Sequence, residues 1–364
     1  MPCSATFVPA EFNVNQRIPV AVLGATGVVG QRFVARLAAH PWFEIAQLAA
    51  SERSVGKTFR DACAWRVSGV EAYAGLGARG IVECSPAQVT APVVFSALDT
   101  AAAAEVEPLF ARAGAWVFSN ASAFRMAEDV PLLVPEVNPE HLALLDVQRE
   151  RRGWSGAIVC NPNCTTAVLV SVLAPLHRRF GVEAVLMASM QAVSGAGYPG
   201  VASLDALGNV VPFIRGEEPK VEEETRKLLG VFERGAIAPA ECAVSAHCHR
   251  VAVIDGHSEA LSVRLRGAPS VEAVRRALVE WRAEPQERRL PTAPPTPLVV
   301  HDADDRPQPR LDAERDGGMS VHVGRVRECA VLGHKLFVMG NNLERGAAGA
   351  SVLNAELLRS RGML

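Results

Sequence analysis

Gly24-Ala25-Thr26-Gly27-Val28-Val29-Gly30 joins an apolar run, Ile18 to Leu23, to a stretch from Val28 to Ala39 whose apolar residues recur at helical spacing. A strand, a glycine turn and a helix in that order form the setting in which a dinucleotide pyrophosphate is held. Gly24 permits a tight turn, Gly27 lets the backbone approach a phosphate, and Gly30 allows the helix to pack closely on the strand. The helix N-terminus then offers free N–H groups to the anion. The spacing is GxxGxxG rather than GxGxxG, so an ordinary glycine-bearing βα turn stays open as a reading of this motif alone.

Outward from this turn, His40-Pro41 stops the helix and Phe43–Ala50 reads as a second strand. Val93–Leu98 and Trp116–Ser119 are further short apolar runs, separated by the Ala-rich helical stretch 100–113. Strands alternating with helices predict a parallel sheet. At the end of the second strand Arg53 stands between Ser51 and Ser54. An arginine there suits the 2′-phosphate of NADP, whereas Glu52 beside it would suit a ribose hydroxyl. A solvated surface arginine is the alternative.

Charge and glycine content rise at 150–156, a seam between two domains. Beyond it the pattern predicts a helix over 164–179 and a strand over 182–191. Runs at 242–254 and 258–265 predict a hairpin about Asp255-Gly256, followed by a helix over 270–284. Residues 291–310 are Pro-rich and acidic and read as a surface connection, or else a ligand-contacting loop. Strands near 320–327 and 331–339 and a helix over 346–360 complete the chain. There is no internal repeat.

The 364 residues carry 37 basic and 39 acidic side chains, a net charge of −2, and are 49% hydrophobic. That excludes disorder or a coiled coil for the whole chain, and argues against nucleic acid or an anionic membrane as partner. Eight cysteines at irregular spacings read as free thiols in a reducing compartment. Residues 1–16 are a poorly patterned leader without signal-peptide features, and no run approaches the ~20 apolar residues of a membrane span. The expectation is a soluble, cytoplasmic protein.

Cys160-Asn161-Pro162-Asn163-Cys164-Thr165-Thr166 places Cys164 where an extended segment meets a helix. The helix end favours a thiolate, which makes Cys164 a candidate nucleophile, and its N–H groups with the Asn163 side chain suit an oxyanion. A buried, inert cysteine is the competing reading; Cys160 reads as core. Cys242, His247, Cys248 and His249 match no standard zinc spacing, so no metal is expected.

The set GATGVVG (24–30), SNASAFR (119–125), VPEVN (134–138), CNPNCTT (160–166), QAVSGAGYPG (191–200), GEEPK (216–220), HRVAVIDGHSE (249–259) and NNLERGAAG (341–349) resembles the aspartate-semialdehyde dehydrogenases. DRPQPRLD (305–312) is similar to their archaeal and fungal branch. The resemblance implies an α/β fold like that of glyceraldehyde-3-phosphate dehydrogenases. A Rossmann-type dinucleotide-binding domain (1–155, completed by 341–364) would precede an α+β substrate and dimerisation domain (156–340). It implies NADPH-dependent, reversible reduction of L-4-aspartyl phosphate to aspartate semialdehyde and phosphate, toward lysine, methionine, threonine and diaminopimelate. It also implies a homodimer or homotetramer formed through the second domain's sheet.

By the same resemblance Cys164 forms an acyl-thioester, His257 is the acid/base and Gln191 orients the substrate. Arg250 binds the substrate carboxylate and Glu217 its ammonium, while Lys220, Arg125 and Asn120 form the phosphate site. Gly24, Thr26, Gly27, Val28, Val29, Ser51, Arg53, Ser54 and Ser96 go with the cofactor, and Ser194, Gly195 and Asn342 with its nicotinamide half. Pro219 departs from the family pattern and puts the aim of Lys220 in question. The alternatives are a reductase of malonyl-CoA or N-acetylglutamyl phosphate, or a catalytically silent dinucleotide-binding paralogue.

Overall fold

The computed structural model describes residues 16–364, so the leader lies outside the described residues except for Gln16. The first half alternates strand and helix as expected. Its strands are β1 (Ile18–Leu23), β2 (Phe43–Ala50), β3 (Ile81–Glu83), β4 (Val93–Ser96), β5 (Trp116–Ser119) and β6 (Ala157–Cys160). They form one parallel sheet in the order β3-β2-β1-β4-β5-β6. This is the doubly wound arrangement, whose ligand crevice lies beyond the C-terminal strand ends where the order reverses, between β1 and β4.

Strands covered on both faces need continuous apolar runs, which is why β4 and β6 are buried throughout. Phe33 from the helix Val28–Leu37 meets Phe95 on β4 at 5.2 Å, and Phe95 meets Phe118 on β5 at 5.6 Å. Val352, Leu353 and Leu357 of the C-terminal helix Ala348–Ser360 join that core. Gly24 has φ +71°, and a Cβ on Gly30 would stand 2.1 Å from the Gly24 carbonyl oxygen. The turn therefore requires glycine at both places.

The expected seam at 155/156 falls just before β6. β6 pairs with β5, so the chain leaves the first sheet only after Cys160. It then enters the helix Cys164–Phe180 and a mixed sheet. That sheet contains β7 (Val182–Gln191), then, after a small hairpin β8 (Val231–Glu233) and β9 (Ala236–Ala238), β10 (Ala243–Arg250), β11 (His257–Leu265), β12 (Leu298–Val300), β13 (Val321–Cys329) and β14 (Gly333–Gly340). Its order is β10-β7-β11-β14-β13-β12. Three expectations change here. β10 and β11 are not a hairpin, because β7 lies between them, parallel to β10 and antiparallel to β11. The helix expected over 270–284 stops at Val279, and Pro285 sits in the first turn of a separate short helix, Glu284–Glu287. The Pro-rich segment 291–310 contains β12, an edge strand, where flanking prolines do not interrupt the sheet.

Among the described residues no helix is long and apolar enough to cross a membrane, and the seven described cysteines are free thiols.

Candidate active site

β6 ends at Cys160, and the turn Asn161–Asn163 feeds the helix that opens with Cys164. Asn163 caps that helix: its Oδ1 accepts the Thr165 and Thr166 N–H groups at 2.9 and 3.1 Å. Its Nδ2 donates to Glu217 Oε1 at 2.8 Å. The Asn163 oxygen is thus committed to the cap, while its amide nitrogen spends one N–H on Glu217 and borders the cleft. The N–H of Cys164 itself is the helix-end donor that this cap does not take.

Cys164 Sγ lies 3.2 Å from His257 Nε2. The Ala192 N–H donates to His257 Nδ1 at 3.1 Å, so the neutral imidazole carries its proton on Nε2, facing the sulfur. Burial, then the nearby Arg250 charge, push the His257 pKa down to about 3. The Cys164 thiol is pushed up to about 12, first by burial and then by the Glu217 charge. Arg125, Arg250 and a helix-end N–H pull the other way and do not prevail. In the ligand-free site desolvation thus opposes the expected thiolate more strongly than the helix end favours it. On the far side, a Cβ at Gly346 would stand 2.5 Å from Cys164 Cβ, so only glycine fits the turn that covers the nucleophile.

The insertion of β7 between β10 and β11 arranges three of the expected residues. Arg250 stands beside Gln191 in register, and Ser258 beside Met190 brings His257 level with Gln191 from the other side. The connection Val251–Gly256 crosses the end of β7, and the Val251 N–H bonds the Gln191 carbonyl at 3.0 Å. Arg250 Nη1 donates to the Ala192 carbonyl at 2.8 Å, which leaves the rest of the guanidinium toward the cleft. Gln191 is 1% exposed, and its amide nitrogen donates to Ser189 Oγ at 3.3 Å. It does not line the cleft.

The cleft itself brings together Cys164, Asn163, Arg250, Glu217, Lys220, Arg125 and Asn120, with Val28, Val29, Ser194, Gly195 and Asn342. Asn342 Nδ2 donates to Ser194 Oγ at 2.9 Å, and its Oδ1 accepts the Gly256 N–H at 2.8 Å, tying two walls together. Lys220 makes no hydrogen bond or ion pair among the described residues. Pro219 lies in the first turn of the helix Glu217–Leu228, where no intrahelical N–H is needed, so the helix runs on through it.

Two expected ligand contacts take other parts. The Asn120 amide nitrogen donates to the Ser96 carbonyl and to Ser351 Oγ, and its Oδ1 accepts from Asn161, so no side-chain N–H is left for a phosphate. Its backbone carbonyl instead accepts from Arg125 Nη2 at 2.7 Å. Ser96 is fully buried and supports Asn120 from behind rather than facing a ligand. Thr26 and Gly27 form the turn before the helix Val28–Leu37. Ser51, Arg53 and Ser54 lie at the C-terminal end of β2, with Ser51 and Arg53 exposed. A glycine cradle, an uncapped helix N-terminus and an exposed arginine past β2 fit a dinucleotide with a 2′-phosphate.

Four residues were missed. Glu224 and Lys227 sit behind the cleft, and their signal was available: 217, 220, 224 and 227 fall on one helical face. Glu136 and Arg345 form a buried two-pronged ion pair at 2.8 and 3.0 Å. Outside the cleft, His301, Asp312 and His322 bring their ligand atoms within 4.8 Å of one another. The Arg306 guanidinium occupies both Asp312 oxygens there and Arg315 stands 3.6 Å away, a field unfavourable to a cation.

Residues 19–145 match the profile of the semialdehyde dehydrogenase NAD binding domain, and 173–345 that of the semialdehyde dehydrogenase dimerisation domain. The chain is 54% identical over 342 residues to the aspartate-semialdehyde dehydrogenase of Archaeoglobus fulgidus, covering 94% of this chain and 98% of that one. It is 49% identical over 344 residues to that of Methanothermobacter thermautotrophicus, covering 94% and 99%. Among solved structures it is similar to the Candida albicans aspartate-semialdehyde dehydrogenase with NADP, at TM-score 0.88 and 43% identity, over 96% of this chain and all of that one.

Proposed function

Because the chain belongs to the aspartate-semialdehyde dehydrogenase family, we propose that it interconverts L-4-aspartyl phosphate and L-aspartate 4-semialdehyde plus phosphate, with NADPH as reductant. The observation that carries this reading is the 3.2 Å contact of Cys164 Sγ with the buried His257 Nε2, Cys164 itself lining a cleft with Arg250, Glu217, Arg125 and Lys220. A carboxylate, an ammonium and a phosphoryl group need two cationic regions and one acid. Arg250 supplies a planar fork for the carboxylate, Glu217 faces the ammonium, and Arg125 with Lys220 takes the phosphoryl group.

Binding also prepares the nucleophile. The substrate ammonium neutralises Glu217, removing one of the two influences that raise the Cys164 thiol. Sulfur attacks the acyl carbon, the carbon–oxygen bond to phosphate breaks, and the thiol proton leaves on the phosphate. NADPH supplies the hydride that reduces the resulting thioester. Collapse then breaks the carbon–sulfur bond and releases the aldehyde, with a proton from solvent restoring the thiol. His257 Nε2–H hydrogen-bonds the sulfur at attack and at departure. This is a donor's part, since accepting a proton at Nε2 would require a tautomer that loses the Ala192 bond.

The enzyme acts as a homodimer or homotetramer, a reading supported by the dimerisation-domain match over the second sheet, and in the cytoplasm, where the free thiols of its described cysteines are at home. The test is phosphate-dependent NADP reduction with aspartate semialdehyde, run beside malonyl-CoA-dependent NADPH oxidation. Turnover in the first assay alone is expected; turnover only in the second would overturn the assignment.

A further inference from the structure

The helix Glu217–Leu228 carries two acid–base pairs along one face. Glu217 and Lys220 open into the cleft, whereas Glu224 and Lys227 lie behind it, 1% and 6% exposed. The Glu224 carboxylate accepts from Arg125 Nη1 at 3.1 Å and from the Asn163 N–H at 2.6 Å. One buried carboxylate thus holds both the phosphate-side guanidinium and the residue preceding the nucleophile. Lys227 Nζ donates to the carbonyls of Arg125 at 2.7 Å, Ala127 at 2.8 Å and Val130 at 3.2 Å. Those carbonyls belong to the loop that carries Arg125, and among the described residues no ion pair accompanies the ammonium. Burial lowers the Lys227 pKa to about 8, so holding it there has a cost that the three hydrogen bonds offset.

We propose that Glu224 and Lys227 are positioning residues that hold the Arg125 loop in register with Cys164, fixing where the phosphoryl group binds relative to the sulfur. The proposal rests on the function given above. Glu224 sets the guanidinium against the N-terminal cap of the nucleophile helix, and Lys227 sets the backbone from which that guanidinium extends. Neither touches the parts that bind the substrate's carboxylate, Arg250 and its Ala192 support. The carboxylate end of the substrate thus lies outside the clamp, and Glu224 reaches the ammonium side only indirectly, through the Asn163 bond to Glu217.

The variants are Glu224→Gln, which keeps the shape but turns an amide donor or a neutral acceptor toward Arg125, and Lys227→Met, which keeps the length without donors. In each, the KM for phosphate should rise about tenfold or more while the KM for aspartate semialdehyde stays within about twofold. Calorimetric titration of the NADP-loaded enzyme with inorganic phosphate should weaken by the same factor, and reads the clamp without turnover. Phosphate affinity unchanged in both variants, or phosphate and aldehyde affinities weakening together, overturns the clamp. A wild type that binds phosphate but does not turn over aspartate semialdehyde overturns the function instead, and the titration still judges the clamp.

Discussion

Cys164 stands under opposed influences, and their balance is measurable. Burial and Glu217 raise its thiol to about 12 against Arg125, Arg250 and the helix end. A raised thiol pKa means that thiolate appears only as pH rises. Alkylation of the ligand-free enzyme by iodoacetamide should therefore climb steadily beyond the ~8.5 of a free thiol, without a plateau at neutral pH. Glu217→Gln removes a negative charge and should move that profile down by about one pH unit. A neutral-pH plateau in the wild type would reveal a resting thiolate–imidazolium pair and sink this account. Cys164→Ser should abolish nearly all turnover while NADP still binds, since serine has no accessible oxyanion at neutral pH. Arg250 is tested by Arg250→Lys, which keeps the charge and loses the fork. A fall in kcat/KM of about tenfold or more, with an unchanged circular dichroism spectrum, is expected. Unchanged kinetics would remove Arg250 from substrate binding.

At the scale of elements, local pattern and the parallel first sheet were legible, and the pairing within the second sheet was not. The opening βαβ could be read because Ile18–Leu23, Gly24–Gly30 and Val28–Leu37 each carry their own periodicity or turn chemistry. The helix at Cys164 and the strand to Gln191 were read to within a residue for the same reason. The parallel pairing of the first sheet followed from the alternation, and what failed was the one hairpin expected in the second. β10 and β11 look like a hairpin in sequence, yet the six residues Val251–Gly256 are long enough to cross one intervening strand, at about 4.8 Å per strand spacing. Nothing local in either strand reports β7 between them. The bonds that Gln191, Asn120 and Asn163 make to buried neighbours could not be read in advance, because those neighbours meet only in the fold. The end of β2 is the element whose assignment can be checked most directly. Arg53 is exposed there between Ser51 and Ser54, so Arg53→Ala should raise the KM for NADP about tenfold or more and leave that for NAD alone. Equal use of NAD and NADP by the wild type would show that Arg53 does not meet a 2′-phosphate.

Over the whole molecule, the two sheets must keep the nucleotide crevice and the nucleophile in one frame, and the most deeply buried of the ion pairs between the parts concerned is Glu136 with Arg345. Glu136 lies in the first half's loop after β5, Arg345 in the turn that returns the chain to the C-terminal helix, and Ser171 on the nucleophile helix. Arg345 donates to both Glu136 oxygens and, through Nη2, to Ser171 Oγ at 3.0 Å. Arg345 is 1% exposed, as is Glu136, so neither charge has water to fall back on. The same turn carries Gly346 against Cys164, so the pair sets the cover of the active site as well as the joint between halves. Arg345→Met leaves the Glu136 carboxylate buried and uncompensated, a loss of about 3–5 kcal/mol. Pairing it with Glu136→Gln removes the stranded charge and should restore much of that loss, because the desolvation burden goes with it. Urea unfolding of the two single variants and the double variant measures this directly. A single variant that unfolds at the wild-type midpoint, or a double variant no more stable than Arg345→Met, would mean that this ion pair does not hold the halves together.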